Sequence, residues 1–122
     1  MSRWGSINNL TRSGEWVITA RWCQSFLCKA RGLTLRRKLG DEEGLLLVER
    51  SEGRINTSIT MWFMFFPITV AWLDKEFRVV DVVLASPWHN YLPAVPAKYM
   101  LEGPTGMRDR LSVGDQLEWV DA

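Results

Sequence analysis

The stretch INTSITMWFMFFPITVAWL, from Ile55 to Leu73, contains no charged residue. It approaches the length of about 20 residues that a transmembrane helix needs. Polar residues crowd its first third, however, and Pro67 near the middle would break an ordinary helix. Its β-branched and aromatic residues favour extended structure. We therefore predict two strands, about Thr60–Phe66 and Ile68–Leu73, with Pro67 at a bend or bulge between them.

Both faces of these predicted strands are apolar. In an extended chain, alternate side chains point to opposite sides of the sheet. One side would carry Trp62, Met64 and Phe66, and the other Met61, Phe63 and Phe65. Such a strand is either packed between two layers of the core, or one of its faces meets a ligand or a second protein. Both interpretations stay open at this point.

Further short strands flank this tract. They are predicted at Glu15–Ala20, Leu45–Glu49, Phe77–Ala85, Lys98–Gly103 and after the Gly114-Asp115 turn. The polar residues Asp74–Glu76 predict a hairpin turn. A short helix is predicted at Cys23, Phe26, Leu27 and Ala30, which have helical spacing. The proline-rich segment Ser86–Ala97 is predicted as a long loop suited to binding.

This pattern predicts one mainly β domain over residues 1–122, with a core at about 15–120 and an edge or flexible segment at 1–12. We expect a small antiparallel barrel or a jelly-roll-like sandwich, with one short α-helix packed on it. The length of 122 residues fits a single domain.

Charge and composition narrow the classes of function. The 15 Lys and Arg nearly balance the 14 Asp and Glu, so we expect neither nucleic-acid nor membrane-surface binding. The N-terminal residues show no secretory h-region, which predicts a cytoplasmic protein. On a helix, Cys23 and Cys28 would lie about 140° apart, which predicts free thiols. We expect a monomer or a homodimer.

Four segments in order resemble a bacterial and archaeal family, domain of unknown function 192. They are ARGLTLRRKL (residues 30–39), GLLLVE (44–49), the tract ITMWFMFFPITVAWLDKEFRVVDVV (59–83) and YMLEGPTG with VGDQL (99–106 and 113–117). The resemblance covers about Glu15–Trp119. It implies a mainly β, barrel-like or jelly-roll-like domain, and it implies no chemistry.

One position departs from the family pattern. Thr69 stands where the family's Pro-Leu/Ile-Asp element has an Asp. A catalytic or metal-binding carboxylate at this position would be lost in this chain. A hydroxyl could partly replace a carboxylate that only satisfies backbone groups.

Single residues give weak indications of chemistry. His89 is the only histidine, and it cannot form a zinc site with two poorly placed cysteines. We therefore expect no metal and no cofactor.

Asp81 interrupts an apolar strand, where it is either a buried group of a site or a hydrogen-bonding structural residue. Arg36 falls on a family segment and could bind a carboxylate, although ion pairing with the acidic residues that follow is the simpler interpretation.

The leading hypothesis is a small-ligand-binding or interaction domain without enzymatic activity. Its aromatic pocket would consist of Trp62, Met64, Trp88 and His89, and Arg36 would anchor a small acidic ligand or a chain terminus. Asp81 and Glu102 complete the candidate site residues. The alternatives are an enzyme with acid/base carboxylates such as Asp74, Asp81 or Glu102, and a self-associating structural domain.

Overall fold

The computed structural model describes residues 3–25, 43–62 and 64–122. Nine strands lie within these ranges: β1 (Trp4–Asn9), β2 (Glu15–Cys23), β3 (Glu43–Gly53), β4 (Ile59–Thr60), β5 (Ile68–Leu73), β6 (Val79–Ala85), β7 (Asn90–Tyr91), β8 (Ala97–Gly103) and β9 (Leu117–Asp121). The same ranges contain two 3-10 turns, at Leu10–Arg12 and Thr105–Arg110. The mainly β prediction is confirmed.

Seven of the strands form one sheet in the order β6-β5-β8-β3-β2-β1-β9, and β4 and β7 form a separate two-stranded ribbon. The sheet curls, because its two outermost strands approach each other at one end. There Arg78 and Gln116 form an isolated antiparallel bridge, and the Val79 amide donates to the Asp115 carbonyl oxygen at 2.9 Å. Of the two arrangements that the sequence left open, the barrel corresponds better to this sheet.

The curled sheet has an inner and an outer face. The inner face is lined by buried residues from all seven strands: Ile7, Ile18, Leu46, Leu73, Val79, Leu101 and Leu117. Met107 from the second 3-10 turn packs among them. The outer face carries Leu45, Leu47, Val70, Trp72 and Met100, and it is covered by Ile59, Met61 and Met64. The strand β5 is therefore buried on both faces, as its apolar sequence predicted.

The strand Ile68–Leu73 and the hairpin that follows it are confirmed. The strand predicted at Thr60–Phe66 is wrong beyond Thr60, because Met61 and residues 64–67 run as irregular chain over the outer face. Apolar side chains in this segment serve as a cover, which needs no regular alternation.

Four other predictions need correction. Residues 4–9 are neither an edge nor a flexible segment, since β1 pairs with both β2 and β9. The sheet is not wholly antiparallel, since β2 and β3 run parallel. Cys23 ends a strand rather than starting a helix, and it is disulfide-bonded rather than a free thiol. The helical spacing used to separate the two cysteines therefore does not apply. The other residues of the predicted helix lie outside the described ranges.

In the described parts of the chain, no helix has the length and apolar character that crossing a membrane requires.

Candidate functional site

Three large aromatic rings meet at the surface of the segment that covers the outer face. We call Trp62, Phe65 and Trp88 the aromatic patch; their residues are 50%, 70% and 43% exposed. The Trp62 and Trp88 ring centroids are 5.8 Å apart with an interplanar angle of 89°. Phe65 and Trp88 lie 6.0 Å apart at 83°. These edge-to-face contacts fix the rings relative to one another while leaving much of their surface to solvent.

The backbone beneath the patch is held by the ribbon of β4 and β7. Ile59 pairs with Tyr91, and the ribbon continues through two hydrogen bonds beyond the strands. The Met61 amide donates to the His89 carbonyl oxygen, and the Trp88 amide donates to the Met61 carbonyl oxygen, each at 2.7 Å. Trp88 has φ +66°, a left-handed conformation that bulky residues rarely adopt. Such conformations occur at turns, as at Ser13 and Phe77, and also at functional segments.

The structure brings together some of the residues predicted for the pocket and separates others. Trp62 and Trp88 are in contact, as the hypothesis requires. Met64 is only 3% exposed and belongs to the outer-face core, so it does not line the patch. His89 is exposed, and its Nδ1 lies 2.8 Å from the carbonyl oxygen of Pro87. Arg36 lies outside the described residues.

A shallow, open depression of ≈ 470 Å³ runs along the ribbon. It is lined by Ile55, Ser58, Ile59, Thr60, Asn90, Tyr91 and Leu92. Trp62 is not one of its lining residues, but the Trp62 amide donates to the Thr60 hydroxyl at 3.3 Å. The aromatic patch and the depression are thus linked through one residue of β4. The depression adds hydroxyl and amide groups to an otherwise apolar surface.

Asp81 is a structural residue in this arrangement. Its Oδ1 accepts from the Val82 amide at 2.9 Å, and its Oδ2 accepts from the Ala94 amide at 2.8 Å. The carboxylate therefore ties the loop after β6 to the β6 strand. Of the two roles that the sequence allowed for Asp81, the hydrogen-bonding one corresponds to these contacts.

Glu102 is the most perturbed carboxyl group among the described residues. It lies on β8, where it pairs with Leu45 on one side and Val70 on the other. The residue is 5% exposed, and no hydrogen bond or ion pair joins its side chain to another described residue. Burial in these apolar surroundings raises its pKa to about 7, because the charged form is poorly solvated there.

The other carboxylates near the barrel ends hold backbone and side-chain amides. Asp115 accepts from the Asn9 side-chain amide at 2.8 Å and from the Ser112 amide at 2.9 Å. Asp74 accepts from the amides of Glu76 and Arg78. Among the described residues, no three His, Cys, Asp or Glu side chains are placed to bind a metal ion.

Thr69, at the position that departs from the family pattern, is buried on the inner side of β5. Its hydroxyl donates to the Thr105 carbonyl oxygen at 3.0 Å, which ties β5 to the second 3-10 turn. An ionised Asp has no proton to donate. Thr69 therefore makes a structural bond that an ionised carboxylate would not make.

Sequence reasoning missed several residues of this region. It placed Phe65 on the side opposite Trp62, because it assumed a strand through both. The irregular chain brings both rings to Trp88 instead. The residues of the depression show no sequence pattern that predicts a site. A two-residue strand such as β7 is too short to show an alternation of apolar and polar residues.

Comparisons with known proteins agree with the fold. A family model, DUF192, described as an uncharacterized ACR, matches residues 8–119. The UPF0127 protein PF1050 of Pyrococcus furiosus is 39% identical over 113 residues, covering 91% of this chain and 95% of that protein. The UPF0127 protein PH1112 of Pyrococcus horikoshii is 36% identical over 115 residues, covering 93% of this chain and 97% of that protein.

Two solved structures share the fold. One is a "putative transcription regulator" from Sinorhizobium meliloti, with a TM-score of 0.83 and 20% identity, covering 95% of this chain and 93% of that one. The other, of unknown function, is from Novosphingobium aromaticivorans. It has a TM-score of 0.79 and 23% identity, covering 93% of this chain and 84% of that one.

The family match spans most of the chain, and the curated relatives match it over nearly its whole length. The chain belongs to the DUF192 family of uncharacterized proteins.

Proposed function

We propose that this chain is a small-ligand-binding or interaction domain that uses the aromatic patch and the adjoining depression. The observation that carries the proposal is the mutual contact of three exposed rings, Trp62, Phe65 and Trp88, on a backbone that hydrogen bonds hold in place. A cluster of exposed aromatic rings is a common feature of binding surfaces.

The geometry supports binding in two ways. The rings are held against one another before a ligand arrives, so little conformational entropy would be lost on binding. The depression beside them offers polar groups from Ser58, Thr60 and Asn90, which could orient a ligand whose apolar part rests on the rings.

The proposed ligand is a small acidic molecule or a chain terminus, with Arg36 as the anchoring charge. A guanidinium can hold a carboxylate through two parallel hydrogen bonds. His89, exposed beside the patch, is a second group that could meet such a ligand. Nucleic acid and membranes are not proposed as partners, and the proposal holds for a monomer or a homodimer.

The test is a thermal-shift screen against a library of carboxylate metabolites and short peptides with free C-termini. Compounds that stabilise the wild type should stabilise Trp62→Ala and Arg36→Ala less. Trp16→Ala is the matched control, because Trp16 is also exposed but stacks on Arg110 elsewhere. The proposal fails if no compound stabilises the wild type, or if Trp62→Ala responds as the control does.

A second candidate function is acid/base catalysis by Glu102. The observation that favours it is the burial of Glu102, which is 5% exposed and has no hydrogen-bond partner among the described residues. This burial raises its pKa to about 7, which suits a group that gives and takes a proton near neutral pH. Asp74 and Asp81 are poor partners for it, because each already accepts hydrogen bonds from backbone amides. Turnover that falls in Glu102→Gln while the variant stays folded would favour this candidate over binding alone.

A cytoplasmic location remains a proposal drawn from the N-terminal sequence. The disulfide at Cys23 argues against it, because such bonds are rare in most reducing compartments. Fractionation of native cells after thiol trapping would determine the location. Recovery of the oxidised protein outside the cytoplasm would overturn the proposal.

A further inference from the structure

Four half-buried aromatic rings meet at one end of the inner face. We call them the ring cluster; they pack against the inner-face core and are Trp22, Phe77, Tyr99 and Trp119. The ring of Trp22 lies between two others, with centroid distances of 5.2 Å to Trp119 and 6.4 Å to Tyr99. Tyr99 in turn contacts Phe77 at 4.8 Å. The four rings therefore form one continuous aromatic surface.

A positively charged group of the chain itself rests on this surface. The central guanidinium carbon of Arg3 lies 4.2 Å from the centre of the Trp22 ring and 5.6 Å from that of Trp119. The Nε–H of Arg3 donates to Oδ1 of Asp121 at 2.8 Å, and Nη2 donates to Oδ2 at 3.4 Å. The guanidinium thus has two aromatic neighbours and a carboxylate that meets it with both oxygens.

This set of partners suits a guanidinium better than other cations. Aromatic faces attract any cation, because their π electrons carry negative charge. Two parallel hydrogen bonds to one carboxylate, however, need the planar fork of a guanidinium, which an ammonium group lacks. Hydrogen bonds from Arg3 and from the Trp119 indole keep the pKa of Asp121 below its ordinary value, so the carboxylate is charged at neutral pH. The space has the size of a guanidinium, because one fills it.

The ring cluster is held by contacts that do not involve the Arg3 side chain. The Trp119 ring lies against Gly5, where an added Cβ would be 2.4 Å from its carbons, and its N–H donates to Asp121 at 2.7 Å. The Trp22 indole donates to the Gln24 side chain at 3.1 Å. These contacts keep both rings in place when the guanidinium leaves.

The Arg3 side chain, by contrast, is held weakly. Its contact with Asp121 joins side chains that are 50% and 61% exposed, and ion pairs exposed to this degree add little stability. The Arg3 backbone is fixed separately, because the Trp22 amide donates to its carbonyl oxygen at 2.7 Å. The side chain can therefore swing away while the strand stays paired.

We propose that the ring cluster and Asp121 form a second binding site, distinct from the aromatic patch, for a small guanidinium compound, and that the Arg3 side chain is its internal competitor. The ligand's planar group takes the place of the Arg3 guanidinium over Trp22 and Trp119, and it donates to both oxygens of Asp121. Arg3 turns into solvent when the ligand binds.

The tethered competitor sets the expected affinities. A ligand binds only the fraction of molecules in which the site is open, and its apparent Kd rises in inverse proportion to that fraction. An Arg3 side chain that occupies the site about nine-tenths of the time raises the apparent Kd about tenfold. Arg3→Ala should therefore bind the ligand about ten times more tightly than the wild type.

The experiment follows the indole N–H signals by NMR at neutral pH while methylguanidine is added to the wild type and to Arg3→Ala. The signals of Trp22 and Trp119, assigned with the Trp22→Phe and Trp119→Phe variants, should shift along a saturable curve. The signal of Trp62, in the aromatic patch, should stay in place. Methylurea has the planar shape without the charge, and methylammonium has the charge without the fork. Each should bind at least tenfold more weakly than methylguanidine.

Two further variants separate the roles of the residues. Asp121→Asn in the Arg3→Ala background keeps the shape of the side chain but removes its charge, and it should weaken methylguanidine binding at least tenfold. Arg108→Ala removes an exposed arginine elsewhere and should bind methylguanidine as the wild type does. Equal tightening in Arg108→Ala and Arg3→Ala would show an effect of net charge and would overturn the competition by Arg3.

The site is overturned if methylguanidine gives no saturable shift at Trp22 and Trp119 in Arg3→Ala, or if methylurea binds equally well. Binding that is no tighter in Arg3→Ala than in the wild type overturns the role of Arg3. The wild type provides a test that needs no variant. As methylguanidine moves the two indole signals, the Arg3 Nε–H signal must change with them, and an Arg3 signal that stays constant contradicts the displacement.

Discussion

The indole N–H of Trp72 donates to the carbonyl oxygen of Thr57 at 2.7 Å inside the protein. Trp72 lies in β5 and is completely buried, whereas Thr57 belongs to the chain that leads into the cover of the outer face. The hydrogen bond joins the sheet to the segment that carries the aromatic patch. The Thr57 hydroxyl in turn donates to the Gly53 carbonyl oxygen, so the cover is fixed at its start.

We therefore predict that Trp72→Phe destabilises the protein by about 2–4 kcal/mol. The change removes the donor, leaves a buried carbonyl oxygen without a partner and leaves a small cavity. Denaturant unfolding measures the loss. The control is Trp62→Phe, which changes a half-exposed ring and should cost less than about 1 kcal/mol. Equal losses in the two variants would show that the Trp72 bond is not important for the fold.

Glu102 gives a prediction about pH. Burial raises its pKa from the ordinary value of 4.5, which applies to the unfolded chain, to about 7 in the folded protein. Between these two values the folded chain therefore binds more protons than the unfolded chain. The stability contributed by this group is full below pH 4.5 and is lost as the pH rises through the folded-state pKa. The loss amounts to about 3 kcal/mol.

Glu102→Gln should consequently be more stable than the wild type at pH 8 and similar to it at pH 4.5. Denaturant unfolding at a series of pH values provides the measurement. Glu76→Gln, at an exposed turn position, is the control and should leave the pH profile unchanged. If the wild type and Glu102→Gln keep parallel profiles from pH 4.5 to 8, Glu102 does not titrate as its burial indicates.

Local sequence signals located most of the strands. Ile68–Leu73 has β-branched residues, and a polar turn follows it. Both features predict a strand from only a few neighbouring residues. The neighbouring residues 61, 62 and 64–67 share the same apolar composition but form a cover outside the strands. Composition cannot separate these two cases, because both segments bury apolar side chains.

The pairing of strands that are distant in the chain could not be predicted from the sequence. The parallel contact of β2 and β3 joins strands separated by residues 24–42, and no local period encodes it. Glu102 is a candidate residue in the sequence without its environment, because its neighbours Leu45 and Val70 lie on strands far from it in the chain. The sequence hypothesis places Trp62 and Trp88 in one pocket, and their rings are in contact.

Asp81 provides a prediction about the loop after β6. Asp81→Ala removes the acceptor for the Val82 and Ala94 amides, which should cost about 1–3 kcal/mol. Hydrogen exchange at the Ala94 amide should become faster because the loop loses its attachment. Asp109→Ala, at an exposed position, serves as the control. Unchanged exchange at Ala94 in Asp81→Ala would contradict the structural role assigned to this carboxylate.

The close approach of Gly5 and Trp119 gives a last prediction. A Cβ atom added at Gly5 would lie 2.4 Å from two ring carbons of Trp119. The ring also contacts Trp22 at a centroid distance of 5.2 Å and has its N–H bound to Asp121, so it cannot move aside without breaking other contacts. We expect Gly5→Ala to destabilise the protein by roughly 1–3 kcal/mol. Gly106→Ala, where nothing lies within 4 Å, should change the free energy of unfolding far less. A Gly5→Ala variant as stable as Gly106→Ala would mean that the Trp119 ring has a second position available.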